Sequence, residues 1–278
     1  MLFSKNITFN QIENKVIICA STLQSMPLIH YEEKQTHSQL KRVTTGIPGL
    51  DEVISGGFPQ GTITLVSGPP GSGKTILCCQ YLYQGIQEGD RCLFLTLDKK
   101  VEGILTQTTE LGMNFQTAIE SGNIKFLYLN INKKLIYESM ANEILSGEYD
   151  RIVLDSITPL SEMPIYISNE DLKHDINFID PEDFTPEGKK PIHRLHLHFI
   201  MSTLETSNST SLITSELPTS THNLSRDGLS EFLADGVIVL TIDPTMDRRK
   251  LTVMKMRSTK HTLKPHDIEI QQGGIALI

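Results

Sequence analysis

Nowhere in its 278 residues does the chain hold 18 consecutive apolar side chains, and a helix crossing a bilayer needs about 20. A soluble protein without membrane insertion is expected. Cysteine is scarce: Cys19, Cys78, Cys79 and Cys92 lack the paired spacings of a structural metal site, and the adjacent Cys78 and Cys79 would point to different faces of a helix. They read as reduced, mostly buried thiols of a cytoplasmic protein. The apolar run at residues 15–20 (KVIICA) is shorter than the about 7–15 residues of a secretory signal core, and it reads as a short strand. A basic surplus is also missing. Lys and Arg number 25 against 33 Asp and Glu, giving a formal net charge of −8. A dedicated nucleic-acid binder carries cations that displace counterions from phosphates, so nucleic acid is not an expected partner, although a local basic groove is compatible with any net charge. The cations do gather in residues 248–264 (RRKLTVMKMRSTKHTLK).

Residues 1–40 are polar, hold no sustained period and read as an N-terminal extension; residues 41–278 read as one domain. The change comes at residues 46–61 (GIPGLDEVISGGFPQG), where five glycines and two prolines lead into the apolar run TITLVSG. Short apolar runs near 62–67, 92–97, 124–129, 151–155 and 211–215 then alternate with helix-period segments near 74–88, 100–112, 133–146 and 191–206. Such alternation predicts an α/β fold whose mostly parallel sheet carries helices on both faces. After residue 236, GVIVLTID, a charged turn and LTVMKMR read as an antiparallel hairpin, and a last strand pair is expected near 267–277. Two segments break the rhythm. Residues 162–190, with eight acidic and three basic side chains, read as an acidic surface insertion. Residues 217–230 read as a mobile loop after the apolar LIT run.

The strongest chemical signal is Gly68-Pro69-Pro70-Gly71-Ser72-Gly73-Lys74-Thr75, which satisfies G-x-x-x-x-G-K-[ST] between a predicted strand and a predicted helix. Glycines let successive N–H groups converge on phosphate oxygens, and the helix N-terminus adds partial positive charge. In that pattern Lys74 neutralises the β- and γ-phosphates and Thr75 offers its hydroxyl to Mg2+. The run Arg151-Ile152-Val153-Leu154-Asp155 supplies the second element, an acidic residue ending a buried strand. Asp155 is the Walker B candidate, holding Mg2+ through water with Ser156 beside it; a helix N-cap is the plain alternative. His193, His196 and His198 have no carboxylate or cysteine at a spacing that completes a metal site, and they read as surface residues.

In combination these stretches resemble the KaiC-type domains of the RecA superfamily. The resemblance runs in order through residues 45–51 and 56–61, the P-loop, Leu154-Asp155-Ser156, and residues 212–216, 231–237 and 255–261, and so covers roughly 41–278. It implies a RecA-like core, ATP with Mg2+ as cofactors, and a homo-oligomer, a hexameric ring, with nucleotide between neighbours. It further implies that Lys255 and Arg257 reach a neighbour's γ-phosphate, and alternate positions of a strand do share a face. A solvated hairpin face is the plain reading of the same residues. The sequence departs from the family where a pair of glutamates ends the second core strand, because Leu97 is followed by Asp98-Lys99. Asp98 is one methylene shorter than Glu and Lys99 cannot act as a carboxylate base; an error of about 1 Å in positioning costs about a hundredfold in rate. Glu216 is the other carboxylate able to orient water.

The expected function is therefore a slow, MgATP-binding ATPase that acts as a switch or assembly factor with an unidentified protein partner. Two rivals stand beside it: a non-hydrolysing, ATP-bound scaffold for a signalling or motility assembly, and a DNA recombination or repair ATPase. A salt-dependent shift of single-stranded DNA would favour the last. Adenine is favoured by the resemblance, there being no guanine-reading Asn-Lys-x-Asp stretch.

Overall fold

The apolar runs from residue 62 onward become strands of one nine-stranded sheet. The computed structural model describes residues 40–130, 136–162, 191–218 and 223–278. The expectations for residues 1–39, and for the acidic insertion beyond residue 162, lie outside the described residues. A small pair of strands comes first, β1 (Arg42–Val43) and β2 (Phe58–Pro59), flanking the one-turn α1 (Leu50–Val53). Next come β3 (Ile63–Gly68), α2 (Lys74–Glu88), β4 (Cys92–Thr96), α3 (Val101–Glu110), α4 (Gln116–Glu120), β5 (Ile124–Tyr128), α5 (Ile136–Ser146) and β6 (Arg151–Asp155). After these follow α6 (Thr158–Glu162), α7 (Pro191–Ser207), β7 (Thr210–Glu216), α8 (Ser230–Leu233), β8 (Gly236–Asp243), β9 (Arg248–Met256), β10 (His266–Gln271) and β11 (Gly274–Leu277).

The sheet order is β11-β10-β9-β8-β3-β7-β6-β4-β5. The strands from β8 to β5 run parallel, while β9, β10 and β11 are antiparallel to their neighbours. This is the expected α/β architecture with C-terminal hairpins. The short elements α1, α4, α6, α8 and the β1–β2 pair were not legible, because two to five residues are too few to display a period.

Strand side chains alternate between faces, and that alternation builds two cores. Val66, Phe94, Val153 and Leu212 pack under Leu77 and Tyr81 of α2 on one side. Leu65, Leu93, Leu154 and Ile213 meet Met140 and Ile144 of α5 and Ile200 and Leu204 of α7 on the other. Both faces are apolar, which is why these strands read as continuous hydrophobic runs. The described cysteines, Cys78, Cys79 and Cys92, are buried and free, and burial raises their thiol pKa values, that of Cys92 to about 12.

Polar contacts fix α2, the helix that follows the phosphate loop. Tyr81 donates its hydroxyl to Thr210 O at 2.9 Å. The Gln80 amide donates to Gly46 O and Ile275 O and accepts from the Ile275 N–H, which ties α2 to β11 and to the glycine-rich opening segment. That segment also grips the loop after β9: Arg42 donates to Thr259 Oγ1 at 3.1 Å and Ser55 Oγ to Lys260 O at 2.9 Å. At the far end of α2, Arg151 is only 1% exposed and is bound by Asp90, Glu88 and the carbonyl of Thr44, with its guanidinium 4.8 Å from the Tyr81 ring centre.

Candidate nucleotide-phosphate site

In the parallel part of the sheet, β3, β6 and β7 end together, and residues that follow strand C-termini converge at one edge, the usual place for a ligand in such sheets. Gly68 closes β3, the loop turns through Gly71 (φ +80°) and Gly73 (φ +105°), and α2 begins at Lys74. Both glycines occupy left-handed backbone that a side chain would strain. The first N–H groups of α2 have no acceptor within the helix and face the mouth of the loop.

Lys74 is buried, and its Nζ donates to Gly68 O at 2.8 Å and Pro69 O at 3.1 Å, so the ammonium is held inside the loop by the loop's own carbonyls. Burial lowers its pKa, while the nearby carboxylates of Glu216 and Asp155 act to raise it. Next to it, Thr75 donates its hydroxyl to Asp155 Oδ2 at 2.7 Å. The other oxygen of Asp155 accepts from Thr214 Oγ1, which fixes the carboxylate plane. Thr214 was part of a resembling stretch, but its role here is visible only because β6 and β7 lie side by side. The Asp155–Ser156 peptide is cis.

Asp98 and Lys99 follow β4, next to β6 in the sheet. Ser156 Oγ donates to Asp98 Oδ2 at 2.8 Å, which ties the residue after Asp155 to Asp98. Lys99 turns away toward the loop and places Nζ 3.3 Å from Thr75 Oγ1. The Asp98 pKa is raised chiefly by burial of the carboxyl; the Ser156 hydroxyl opposes this, and the charges of Asp155 and Glu216 add to it. Glu216 ends β7 opposite Gly68. A cavity of about 200 Å3 opens between the loop and Lys99, Gln107 and Ile270. Gln107 and Ile270 come from α3 and β10, far from any motif, and nothing in the sequence singled them out.

The donor set fits a magnesium–triphosphate complex. Among the described residues there is no cluster of three or more His, Cys, Asp or Glu able to hold a metal ion by itself. Mg2+ is a hard cation that keeps waters and takes phosphate oxygens with one or two protein ligands, which is what Thr75 and Asp155 offer. His198 is exposed on α7; the side chains of His193 and His196 lie outside the described residues.

Lys255 and Arg257 are elsewhere. Lys255 lies opposite Val237, which is level with Leu65 on β3. It is thus three residues back from Gly68 and two strands across, about 10 Å in each direction from the strand spacings. Its Nζ donates to Glu231 O at 3.0 Å and to Ala234 O, and Arg257 Nη1 meets Asp235 Oδ1 at 3.0 Å. Burial, then the charge of Arg257, lowers the Lys255 pKa. Within one chain neither side chain reaches the phosphate loop. Two resembling stretches, 231–237 and 255–261, are therefore neighbours in space.

The family model described as "ATPase: KaiC" matches residues 43–278. A UPF0273 protein of Methanopyrus kandleri is 29% identical over 241 residues, covering 85% of this chain and 91% of that one. The circadian clock oscillator protein KaiC of a Picosynechococcus species is 26% identical over 250 residues, and the match spans 44% of its length. The crystal structure of a KaiC-like protein from Pyrococcus horikoshii superposes with a TM-score of 0.70 at 29% identity, covering 86% of this chain and 99% of the other. Among the described residues no helix is long and apolar enough to cross a membrane.

Proposed function

This chain belongs to the KaiC family of ATPases, and from that premise we propose that it is a slow MgATP-dependent switch that works as a ring. The observation that carries the reading is the Thr75–Asp155 contact of 2.7 Å at the mouth of a glycine-rich loop that already encloses Lys74. Thr75 and Asp155 would hold Mg2+, whose charge would offset that of the phosphates. The loop N–H groups and Lys74 bind and orient the phosphate chain. Asp98 is the water-orienting carboxylate, with Glu216 the other carboxylate at the same edge.

Turnover by the purified protein tests the enzyme half of this reading. Asp98→Asn should lower the rate, whereas Asp98→Glu with Lys99→Glu should raise it, by up to about a hundredfold if reach is what limits the wild type. Affinity for MgATP should hardly change in either. The pH profile carries the same information. A protonated carboxyl cannot take a proton, so the rate should fall as pH drops through the Asp98 pKa, and the acid limb should lie above the ordinary carboxylate value because that pKa is raised. The limb should vanish in Asp98→Asn. A rate unaffected by Asp98→Asn would pass the role to Glu216. The Ser156 hydrogen bond on Asp98 favours a second reading, a nucleotide-bound scaffold without hydrolysis, and no turnover in wild type or double-Glu protein would select it.

Assembly tests the ring. Lys255 and Arg257 are out of reach of their own loop, which supports a role on a neighbour's γ-phosphate, where added positive charge stabilises the transferring group. Nucleotide shared across an interface links binding to association. MgATP should therefore promote assembly more than ADP does, as seen by mass photometry. Lys255→Ala with Arg257→Ala should still bind nucleotide but lose that difference. A chain that stays monomeric with a saturating ATP analogue would remove the trans role.

A further inference from the structure

The position of Lys99 does not follow from the family pattern, which has a glutamate there. Three observations fix where its charge lies. Thr96, fully buried at the end of β4, donates its hydroxyl to Lys99 O at 3.1 Å and accepts the Lys99 N–H at 3.3 Å, so one side chain clamps the backbone of this residue from both sides. From that clamp the side chain lines the same cavity as Gly71, Gly73, Lys74 and Thr75. Its ammonium donates to Thr75 Oγ1 at 3.3 Å. A hydroxyl has one proton and two lone pairs. Thr75 gives its proton to Asp155, and Lys99 stands on the lone-pair side, where a cation approaching Thr75 would stand.

We propose that Lys99 is a built-in counter-cation at the metal position, so that binding of the triphosphate of ATP, as distinct from the switch and turnover that use MgATP, depends little on Mg2+. The inference rests on the nucleotide reading above and adds to it the source of the balancing charge. An ammonium brings a single positive charge against two for Mg2+, but it is tethered and adds to those of Lys74, held inside the loop, and Arg249, whose Nε donates to Gly71 O at 3.3 Å. Asp98, Asp155 and Glu216 oppose these three cations, so without Lys99 a metal-free triphosphate would meet three carboxylates and only two cations, Lys74 and Arg249. With Lys99 the three cations balance the three carboxylates, and the triphosphate no longer meets a net negative site. When Mg2+ does bind, Lys99 has to leave Thr75, and the two cations compete.

The test measures affinity for the non-hydrolysable analogue AMP-PNP by calorimetry, in excess Mg2+ and in EDTA, and does not depend on turnover. In wild-type protein the two affinities should agree within about tenfold, since a single ammonium at an exposed site is worth about that much in binding. Lys99→Met should keep its Mg2+ affinity and lose a further tenfold or so in EDTA. Lys99→Gln should behave alike, and Lys99→Arg should restore most of the metal-free binding. Lys99 is exposed, so these variants should fold, and unchanged thermal melting checks that. Mn2+ titrated into nucleotide-loaded Lys99→Met, followed by electron paramagnetic resonance, should bind more tightly than in wild type because its competitor is gone. The same ratio of Mg2+ to EDTA affinity in wild type and Lys99→Met would overturn the role of Lys99 while leaving the nucleotide site intact. Wild-type protein that fails to bind AMP-PNP even with Mg2+ would overturn both.

Discussion

Lys74→Ala should abolish the thermal stabilisation that MgATP gives the wild-type protein while leaving the unliganded protein as stable as before or slightly more so. The two halves of this expectation have different causes. Without nucleotide, Lys74 is a desolvated cation whose pKa is pushed down by burial, and its hydrogen-bond partners are the neutral carbonyls of Gly68 and Pro69. Truncation there removes an unfavourable burial of charge as well as two hydrogen bonds. With nucleotide bound, the same ammonium faces phosphate oxygens, and charge-assisted contacts of that kind are worth about 1.5–3 kcal/mol, or roughly a hundredfold in affinity. At a ligand concentration about 100 times the wild-type Kd, binding stabilises by about 2.7 kcal/mol, which is about 5–10 °C in Tm for a domain of this size. A variant whose Kd has risen a hundredfold would gain only about 0.4 kcal/mol at that concentration, about 1 °C. Differential scanning fluorimetry with and without MgATP reads both numbers. Equal shifts in wild type and Lys74→Ala would mean that nucleotide binds elsewhere.

Arg151→Met should be the most destabilising single substitution at the far edge of the sheet. Methionine keeps most of the volume, so the loss reports pairing rather than a cavity. Six contacts converge on the guanidinium: Asp90 Oδ2 at 2.6 Å, Thr44 O at 2.8 Å, Thr44 Oγ1 at 3.4 Å, Tyr81 O at 3.1 Å, the Glu88 carboxylate and the Tyr81 ring. Breaking a buried ion pair by removing one partner costs about 3–5 kcal/mol, here toward the lower figure because the Glu88 and Asp90 side chains are 36% and 29% exposed and can be rehydrated. A fall in Tm of about 10 °C is expected. The pH dependence has a definite sign. Burial acts to raise the Glu88 pKa, but hydrogen bonds from Thr44 and Gln84 and the charge of Arg151 together pull it below the ordinary value. A depressed carboxylate contributes stability above its unfolded pKa and loses it as pH falls through the lower folded value. The gap between wild type and Arg151→Met should therefore be full at neutral pH and narrow only as pH falls below the ordinary carboxylate range. Arg151→Lys should recover part of it, since one ammonium cannot span the fork of acceptors. A variant that melts with the wild type would mean the network adds no stability.

Arg151 also marks where sequence reading stopped. In the sequence it was the first letter of an apolar run ending in Asp155, and nothing local distinguishes a buried arginine from the exposed one that usually opens a strand. Its partners lie at residues 44, 81, 88 and 90, the last three on the crossover from β3 through α2 to β4 and the first in the segment just after β1. Lys99 is similar. A surface Asp-Lys dipeptide would pair within itself, yet here Thr96 aims the lysine at Thr75 while Ser156 takes the aspartate.

The phosphate loop was determined by the sequence because its chemistry is local. Glycines at positive φ, a lysine and a threonine act through backbone conformation within eight consecutive residues, and no distant partner is needed to recognise them. The parallel sheet was legible for the same reason: strands buried on both faces must be apolar throughout, and that pattern is written in each strand separately. What only the tertiary structure decided are the relations across strands. Asp155 is held between Thr75 and Thr214 because β6 and β7 lie side by side. Glu216 ends level with Gly68 because β7 pairs with β3. Lys255 and Arg257 do not reach their own loop because β9 is two strands away, with Lys255 level with the middle of β3 and Arg257 level with its start. Sequence states which side chains a chain possesses; the register between strands far apart in sequence decides which of them meet, and register is set by the packing of both cores at once.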